Sequence, residues 1–368
     1  MSLFDWEQRK LGEVLLVNSG KDYKNLNKGN IPVYGTGGYM LSVNRALSNE
    51  NAIGIGRKGT IDRPQYLIAP FWTVDTLFFL TVKNQNDLKF FYALFQKINW
   101  KKYDESTGLP SLSKSTLNNI FLKNPNYKEQ KKIGLLLSQI EVLITLQQRK
   151  LEQLNLLKKG LLQKIFSDND FRPNLRFKNF NEKWKQHKLG SIVHWSKGNH
   201  LKKSTLNSKY DGYEVIHYAD LYKFKPVLSK VIHWSRNNTG TIIPANSLLF
   251  PMSDVTPDGL ARTTAMMKNG VRAGSDILIA TVKNNNAEFL SYQINLYSKR
   301  IVPLVTGTTI RHINSKALST LNIKIPTNSE QNIISKLFIF FENFVDLQQS
   351  KINQLKLLKK FILNNMFI

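Results

Sequence analysis

The chain has 368 residues, 42% of them hydrophobic, which is too long for one ordinary domain and apolar enough to bury more than one core. A formal charge of +26 calls for a polyanionic partner, most plausibly nucleic acid, because each phosphate neutralised by lysine or arginine releases condensed counterions. Zero cysteines exclude disulfides, thiolate catalysis and cysteine-ligated zinc, and no run reaches the roughly 18 apolar residues that a membrane span requires.

The first ten residues lack the apolar run of a secretory signal, so the expectation is a cytoplasmic protein without a membrane partner. The six histidines show neither H-x-x-x-H nor H-E-x-x-H spacing, and no metal site is expected. Charge is unevenly spread: +6 over residues 1–125, +3 over 126–170, +15 over 171–326 and +2 over 327–368. A lysine-rich proteome would account for part of that excess.

Residues 1–126 read as a first mixed α/β segment. Strand-like runs are expected at Ile31–Tyr34, Ala52–Ile55 and Thr73–Val82, and a helical stretch at Leu88–Asn99. Between them lie Gly/Asn/Lys-rich loops such as NSGKDYKNLNKGN (18–30). Inside AIGIGRKGTIDRP (52–64), Gly54, Gly56 and Gly59 spell G-x-G-x-x-G. A dinucleotide fingerprint must open a helix that receives the phosphates, whereas here β-branched residues and Pro64 follow, so turn and strand are favoured. Arg57, Lys58 and Arg63 then form either a compact cationic loop able to enter a DNA groove or part of a plain structural turn.

The next segment, 127–170, is expected to be a long helix, and it has a copy. EQKKIGLLLSQIEVLITLQQRKLEQLNLLKKGLLQKIF (129–166) aligns without gaps on EQNIISKLFIFFENFVDLQQSKINQLKLLKKFILNNMF (330–367), every residue shifted by 201, with about 17 of 38 pairs identical. Both copies begin with a capping box behind a proline, Asn126-x-x-Glu129 and Thr327-x-x-Glu330, in which the glutamate is expected to reach back to the cap. Apolar residues then follow a 4-3 alternation, Ile133, Leu137, Ile140, Ile144, Leu151 and Leu154 against Ile334, Phe338, Phe341, Val345, Ile352 and Leu355. Gln147 and Gln348 interrupt the seam. Antiparallel packing about a pseudo-twofold axis would set them opposite each other as a register device, or they lie at the seam's edge in water.

Residues 171–326 form the second globular segment, with strand-like runs at Gly212–His217, Ser247–Phe250, Asp276–Thr281 and Leu321–Ile325 and a helix at Ala287–Leu296. A weaker repeat with a shift of 178 aligns DWEQRKLGEV (5–14) with KWKQHKLGSI (183–192). The architecture expected is therefore α+β: two mixed α/β heads (1–126 and 171–326) separated by two long helices (127–170 and 327–368) packed as an antiparallel coiled coil.

Catalytic signatures are missing or decoys. Asn124-Pro125-Asn126-Tyr127 stands one residue away from the N-P-P-Y type loop of adenine methyltransferases, but its counterpart Ile325-Pro326-Thr327-Asn328 keeps only the proline and capping roles. No G-x-x-x-x-G-K-[ST] occurs, and Asp254 and Asp258 around Pro257 lack a spaced E-x-K. The chain reads as a non-catalytic reader.

The L-G signatures after Trp6 and Trp184, the LRFKNFNEKW stretch (175–184), the loop-rich heads and the duplicated E-Q…L-x-x-L-K-K helices together resemble the specificity subunit of type I restriction-modification systems, over essentially the whole chain. The first half begins at Met1 without an LRFKNF equivalent. The resemblance implies two target recognition domains, each reading half of a split, asymmetric sequence in double-stranded DNA, spaced by a helical ruler. It also implies docking of two methyltransferase subunits and, in the full complex, restriction/translocase subunits. S-adenosylmethionine, ATP and Mg would then belong to those partners, with no cofactor on this chain. Expected DNA contacts are Tyr34, Thr36, Arg57, Lys58 and Arg63 in the first head, and Lys197, Asn199, His200, Arg236, Ser253, Asp254 and Arg262 in the second. The competing expectation is a bivalent nucleic-acid adaptor that has no methyltransferase partner.

Overall fold

The structure is a computed structural model and describes residues 6–166 and 171–367. Residues 1–5, where the first half begins, and 167–170, at the end of the expected central helix, lie outside the described residues. The chain divides into two compact units, Met1–Lys150 with Gln348–Ile368, and Leu151–Leu347. Each unit is a head together with part of each long helix.

The first unit opens with β1 (Glu7–Lys10), α1 (Leu11–Val14) and β2 (Leu15–Ser19). The hairpin β3 (Lys28–Gly35) and β4 (Gly38–Val43) follows, then β5 (Ala52–Gly56), β6 (Gln65–Leu67), β7 (Trp72–Thr73) and β8 (Leu77–Val82). Helix α2 (Leu88–Phe95), helix α3 (Lys114–Asn119) and β9 (Phe121–Asn124) lead into α4 (Tyr127–Ile165). Three sheets result, with strand orders β2-β8-β5-β6, β4-β3-β7 and β1-β9. The expected strand Thr73–Val82 is two strands, because the chain turns at 74–76 between β7, which pairs with β3, and β8, which pairs with β2 and β5. The helix expected over Leu88–Asn99 stops at Phe95, having buried Phe90, Phe91 and Phe95.

The second unit runs β10 (Lys185–Lys188), α5 (Leu189–Ile192), β11 (Val193–Lys197), β12 (Tyr213–Ile216), β13 (His233–Ser235), β14 (Thr241–Ile242) and β15 (Ser247–Pro251). It continues with β16 (Ser253–Asp254), α6 (Pro257–Leu260), β17 (Thr264–Met266), β18 (Arg272–Ala273) and β19 (Ile277–Val282). Then come α7 (Ala287–Leu296), β20 (Arg311–His312), α8 (Ser315–Leu318), β21 (Asn322–Ile325) and α9 (Asn328–Met366). Its sheets β11-β19-β15-β17, β13-β12-β18-β14 and β10-β21 repeat the frame of the first unit, with β16-β20 added. The heads, unlike in sequence, thus share a topology. Backbone bonds recur at shifted positions: Leu11 N to Ile120 O and Leu189 N to Leu321 O, or Lys83 N to Val14 O and Lys283 N to Ile192 O.

Inside each unit the helices run antiparallel. In the first, Lys359 Nζ meets Glu141 Oε1 at 2.5 Å, and in the second Lys158 pairs with Glu342, the same pair displaced by 201 in opposite senses. Of the alternating apolar positions, Ile133, Leu137, Ile140 and Ile144 are buried in the first copy and Ile334, Phe338 and Ile352 in the second, with Ile133 and Leu137 joining the core of the first head and Ile334 and Phe338 that of the second. Each such side chain contributes about 1.5–3 kcal/mol, which compensates for what a lone 39-residue helix lacks in water.

The helix starts differ from the capping-box expectation in one respect. Asn126 Oδ1 accepts from the Glu129 amide (3.1 Å) and Thr327 Oγ1 from the Glu330 amide (3.4 Å), as a cap requires. The glutamate carboxylates, however, face the heads. Glu129 accepts from Trp6 Nε1 at 3.1 Å, and Glu330 accepts a two-pronged Arg176 guanidinium at 2.8 and 2.7 Å and Trp184 Nε1 at 3.4 Å. Indole and guanidinium donors taken out of water need acceptors, and the glutamates supply them. The following glutamines tie the head to the helix: Gln130 donates to Pro125 O and accepts from Asp87 N, while Gln331 donates to Pro326 O and accepts from Asn286 N.

Candidate nucleic-acid interface

In the first unit, β5 is buried along its length and leaves its sheet at Gly56, where an added Cβ would stand 2.1 Å from Thr60 O. Only glycine permits that fold-back, and Gly59 at φ +91° completes the turn. The chain then enters strand β6, not a helix, so the three glycines form no dinucleotide cradle. Backbone bonds fix the loop on both sides: Arg57 N to Thr76 O (2.8 Å), Gly59 N to Pro110 O (2.8 Å) and Leu112 N to Arg57 O (2.9 Å). The side chains of Arg57, Lys58 and Arg63 are exposed, Arg57 leaning over the Phe78 ring at 5.9 Å. Tyr34 and Thr36, both half-buried, come to the same corner at the β3–β4 turn, where Gln65 Nε2 donates to Gly35 O and Thr36 O.

The second unit builds the same corner. Met252 N donates to Asp276 O (2.9 Å), Ile313 N donates to Met252 O (3.0 Å), and Ser253 and Asp254 pair with His312 and Arg311. By hydrogen-bond position, Met252, Ser253 and Asp254 therefore replace Arg57, Lys58 and Gly59. The Asp254 carboxyl is pushed up by burial, but the Tyr222 hydroxyl and the Thr256 amide outweigh this and hold it below the usual carboxylate range. Arg262 closes the loop, its Nη1 donating to Tyr222 O at 2.9 Å with the guanidinium 5.2 Å from that ring's centre. Lys197, Asn199 and His200 are exposed at the end of β11, Lys197 opposite Leu278 and therefore near the Asp276 end of β19. Arg236 stands apart. The register Tyr213↔Ser235 puts it beyond the opposite end of β12, where it forms an ion pair with Asp211 at 2.6 Å.

Sequence reasoning missed His217 and Tyr218, which occupy the places of Gly35 and Thr36: Ile216 opposes Ala273 as Tyr34 opposes Thr73. It also missed the flanking segments 104–112 and 305–312. The signal available was the 201-residue shift, which continues outside the helices from Ser111 to His312, the residues bridging to Lys58 and Ser253.

Among the described residues no group of three or more His, Cys, Asp or Glu side chains could hold a metal ion, and no helix is long and apolar enough to cross a membrane.

Two copies of one α/β frame, each presenting exposed polar and cationic loops at the same corner, define a duplicated reader. The family model for the type I restriction modification DNA specificity domain matches residues 4–156 and 181–357, and the chain belongs to that family as a type I specificity subunit. It is 24% identical over 341 residues to the type I restriction enzyme MjaVIII specificity subunit of Methanocaldococcus jannaschii, covering 86% of this chain and 75% of the relative. It is also 24% identical over 315 residues to the putative MjaX specificity subunit of the same organism, covering 76% and 68%. In fold it is similar to the type I S subunit from M. genitalium (TM-score 0.71, 14% identity, 100% and 97% coverage). A second similar fold is a chain from a structure of type I restriction-modification complex assembly and conformational transition (TM-score 0.51, 15% identity, 98% and 97%).

Proposed function

We propose that each unit reads one half of a bipartite, asymmetric target in double-stranded DNA, with the duplicated helices as the ruler between the half-sites. The observation that carries this reading is the repeated corner with exchanged chemistry: Arg57, Lys58 and Gly59 in one unit, Met252, Ser253 and Asp254 in the other. Arginine grips guanine O6 and N7, whereas aspartate accepts from a cytosine amino group, so the two corners suit different bases. The twelve named side chains are the proposed contacts; Arg236, paired with Asp211, lies away from the corner, and in the free protein Arg262 already donates to Tyr222 and Asp254 already accepts from Thr256.

The helices also dock two methyltransferase subunits. Each unit carries one exposed leucine pair from the repeated LLKK: Leu357 (66%) and Leu358 (46%) in the first, Leu156 (69%) and Leu157 (53%) in the second. Apolar side chains left in water at equivalent places suit equivalent partners. Restriction/translocase subunits complete the assembly in the cytoplasm, and S-adenosylmethionine, ATP and Mg act on those partners while this chain catalyses nothing.

The test is purification from the native cell followed by incubation with labelled methyl donor and DNA. A methyltransferase is expected to co-purify, with transfer only when it is present. A solitary protein would favour a nucleic-acid adaptor, and transfer by the isolated chain would make it an enzyme.

A further inference from the structure

The two units differ sharply at one groove. In the second unit the 217–232 connection lays its 224–228 stretch along the outer edge of β17: Ala265 N donates to Pro226 O (2.7 Å), Leu228 N donates to Ala265 O (2.9 Å), and Ser291 Oγ of α7 also reaches Pro226 O (2.5 Å). Val227 packs on the core, and Lys225 forms ion pairs with Glu342 and Asp346 of α9. An extended, proline-containing, basic segment thus fills an acidic groove between a sheet edge and two helices.

In the first unit the β3–β4 connection is a tight turn, and among the described residues no segment covers the corresponding place. The register equates β6 with β17, Tyr66 standing where Ala265 does, and β6 is the edge strand of its sheet. A groove of about 390 Å³ remains open between Tyr66, α2 and α4, with Val142 (58%) and Leu146 (51%) exposed along it. Tyr66 and Tyr92 replace the small Ala265 and Ser291 and meet edge-on at 5.4 Å, forming an aromatic floor. The charges are changed too. Lys89 stands in place of Glu288, Thr145 in place of Asp346 and Arg149 in place of Ser350, and among the described residues neither Lys89 nor Arg149 has an ion-pair partner; Glu141, paired with Lys359, keeps the place of Glu342, which Lys158 pairs in the same way.

We propose that this groove is a docking site for an extended, proline-containing, acidic segment of a partner protein, seated as residues 224–228 seat themselves in the second unit. Its backbone adds to the outer edge of β6, its proline lies on the two tyrosine rings, and its carboxylates meet Lys89 and Arg149. An aromatic-lined groove beside an open strand edge favours an extended chain, whose low conformational freedom reduces the entropy lost on binding. The added cations Lys89 and Arg149, with the loss of the carboxylates of Glu288 and Asp346, select the acidic segment and reject the basic one.

The probes are two fluorescein-labelled synthetic peptides, residues 222–229 of this chain as they stand and the same peptide with Lys223→Glu and Lys225→Glu, titrated against the full chain by fluorescence anisotropy. The acidic peptide is expected to bind at least about tenfold tighter than the basic one, and Arg149→Glu and Leu146→Glu, both exposed, are each expected to weaken it at least about fivefold with an unchanged circular dichroism spectrum. Equal or tighter binding of the basic peptide, affinity unmoved by both substitutions, or no saturable binding of either peptide would each overturn the proposal.

Discussion

Gln348 donates its side-chain amide to the backbone carbonyl of Gln147 at 3.1 Å, and to the Gln147 side-chain oxygen as well. The two are 201 residues apart and equivalent in the repeat, so one amide of the pair is buried in the seam while its copy is half-buried. A polar contact at a seam position lowers stability in exchange for a single register. Replacing both glutamines by leucine should therefore leave stability equal or raise it by about 1 kcal/mol, while the helices lose their unique pairing. Denaturant unfolding with light scattering checks this: a stable but heterogeneous protein is expected, and a uniform protein of much lower stability would contradict the register role.

Glu330 and Glu129 occupy equivalent places with unequal stakes. Glu330 is fully buried and accepts from Arg176 and Trp184, so Glu330→Ala leaves a guanidinium without its partner and should cost about 3–5 kcal/mol. Glu129 is half-buried and accepts from Trp6, and Glu129→Ala should cost about 1 kcal/mol. Equal losses in urea unfolding would show that the Arg176 pair contributes nothing special.

His217 gives the second unit a pH dependence of known sign. Burial first, with Lys203 and His233 nearby, lowers its folded pKa against the opposing pull of Asp220 and Asp276, and its Nδ1 accepts from the Ala219 amide, which requires that nitrogen to be unprotonated. The unfolded chain takes up this proton at about pH 6.5, before the folded chain does. Stability is thus complete above that pH and declines as the pH falls below it. The drop in Tm between about pH 7.5 and about pH 5.5 should shrink in His217→Gln, whose side-chain oxygen can still accept. An undiminished drop would assign the dependence elsewhere.

How much of this was legible in sequence depended on periodicity. The gap-free repeat located both long helices, their prolines and their caps, because a heptad seam and a capping residue are local patterns. The glutamates at Glu129 and Glu330 were assigned to the wrong partner because Trp6 and Arg176 are remote in sequence. The shared topology of the heads was hidden as well, since buried strands such as Ala52–Gly56 and Ser247–Pro251 need only apolar residues of suitable size, not the same ones. At the candidate interface, the exposure of Arg57 and Lys58 was readable from the glycines around them. The equivalence of Lys58 with Ser253 was not, because it rests on backbone bridges to Ser111 and His312.

Arg57→Ala tests the division of labour between units. If its guanidinium reads a base, the variant loses about 1–3 kcal/mol on DNA carrying the correct first half-site and discriminates less at one position, with the second half-site read as before. Electrophoretic competition with singly substituted duplexes separates the outcomes. A uniform loss across all sequences, with a shallower salt dependence, would make Arg57 a phosphate contact.

The most direct measurement is methylome sequencing of the native cell carrying either the wild-type gene or a version with four residues inserted after Gln148 and four after Gln349, lengthening both helices by about 6 Å. A split, asymmetric methylated motif is expected in the wild type, and the same two half-sites separated by about one or two more base pairs in the variant. A contiguous motif, or a spacer unchanged by the insertion, would contradict that expectation.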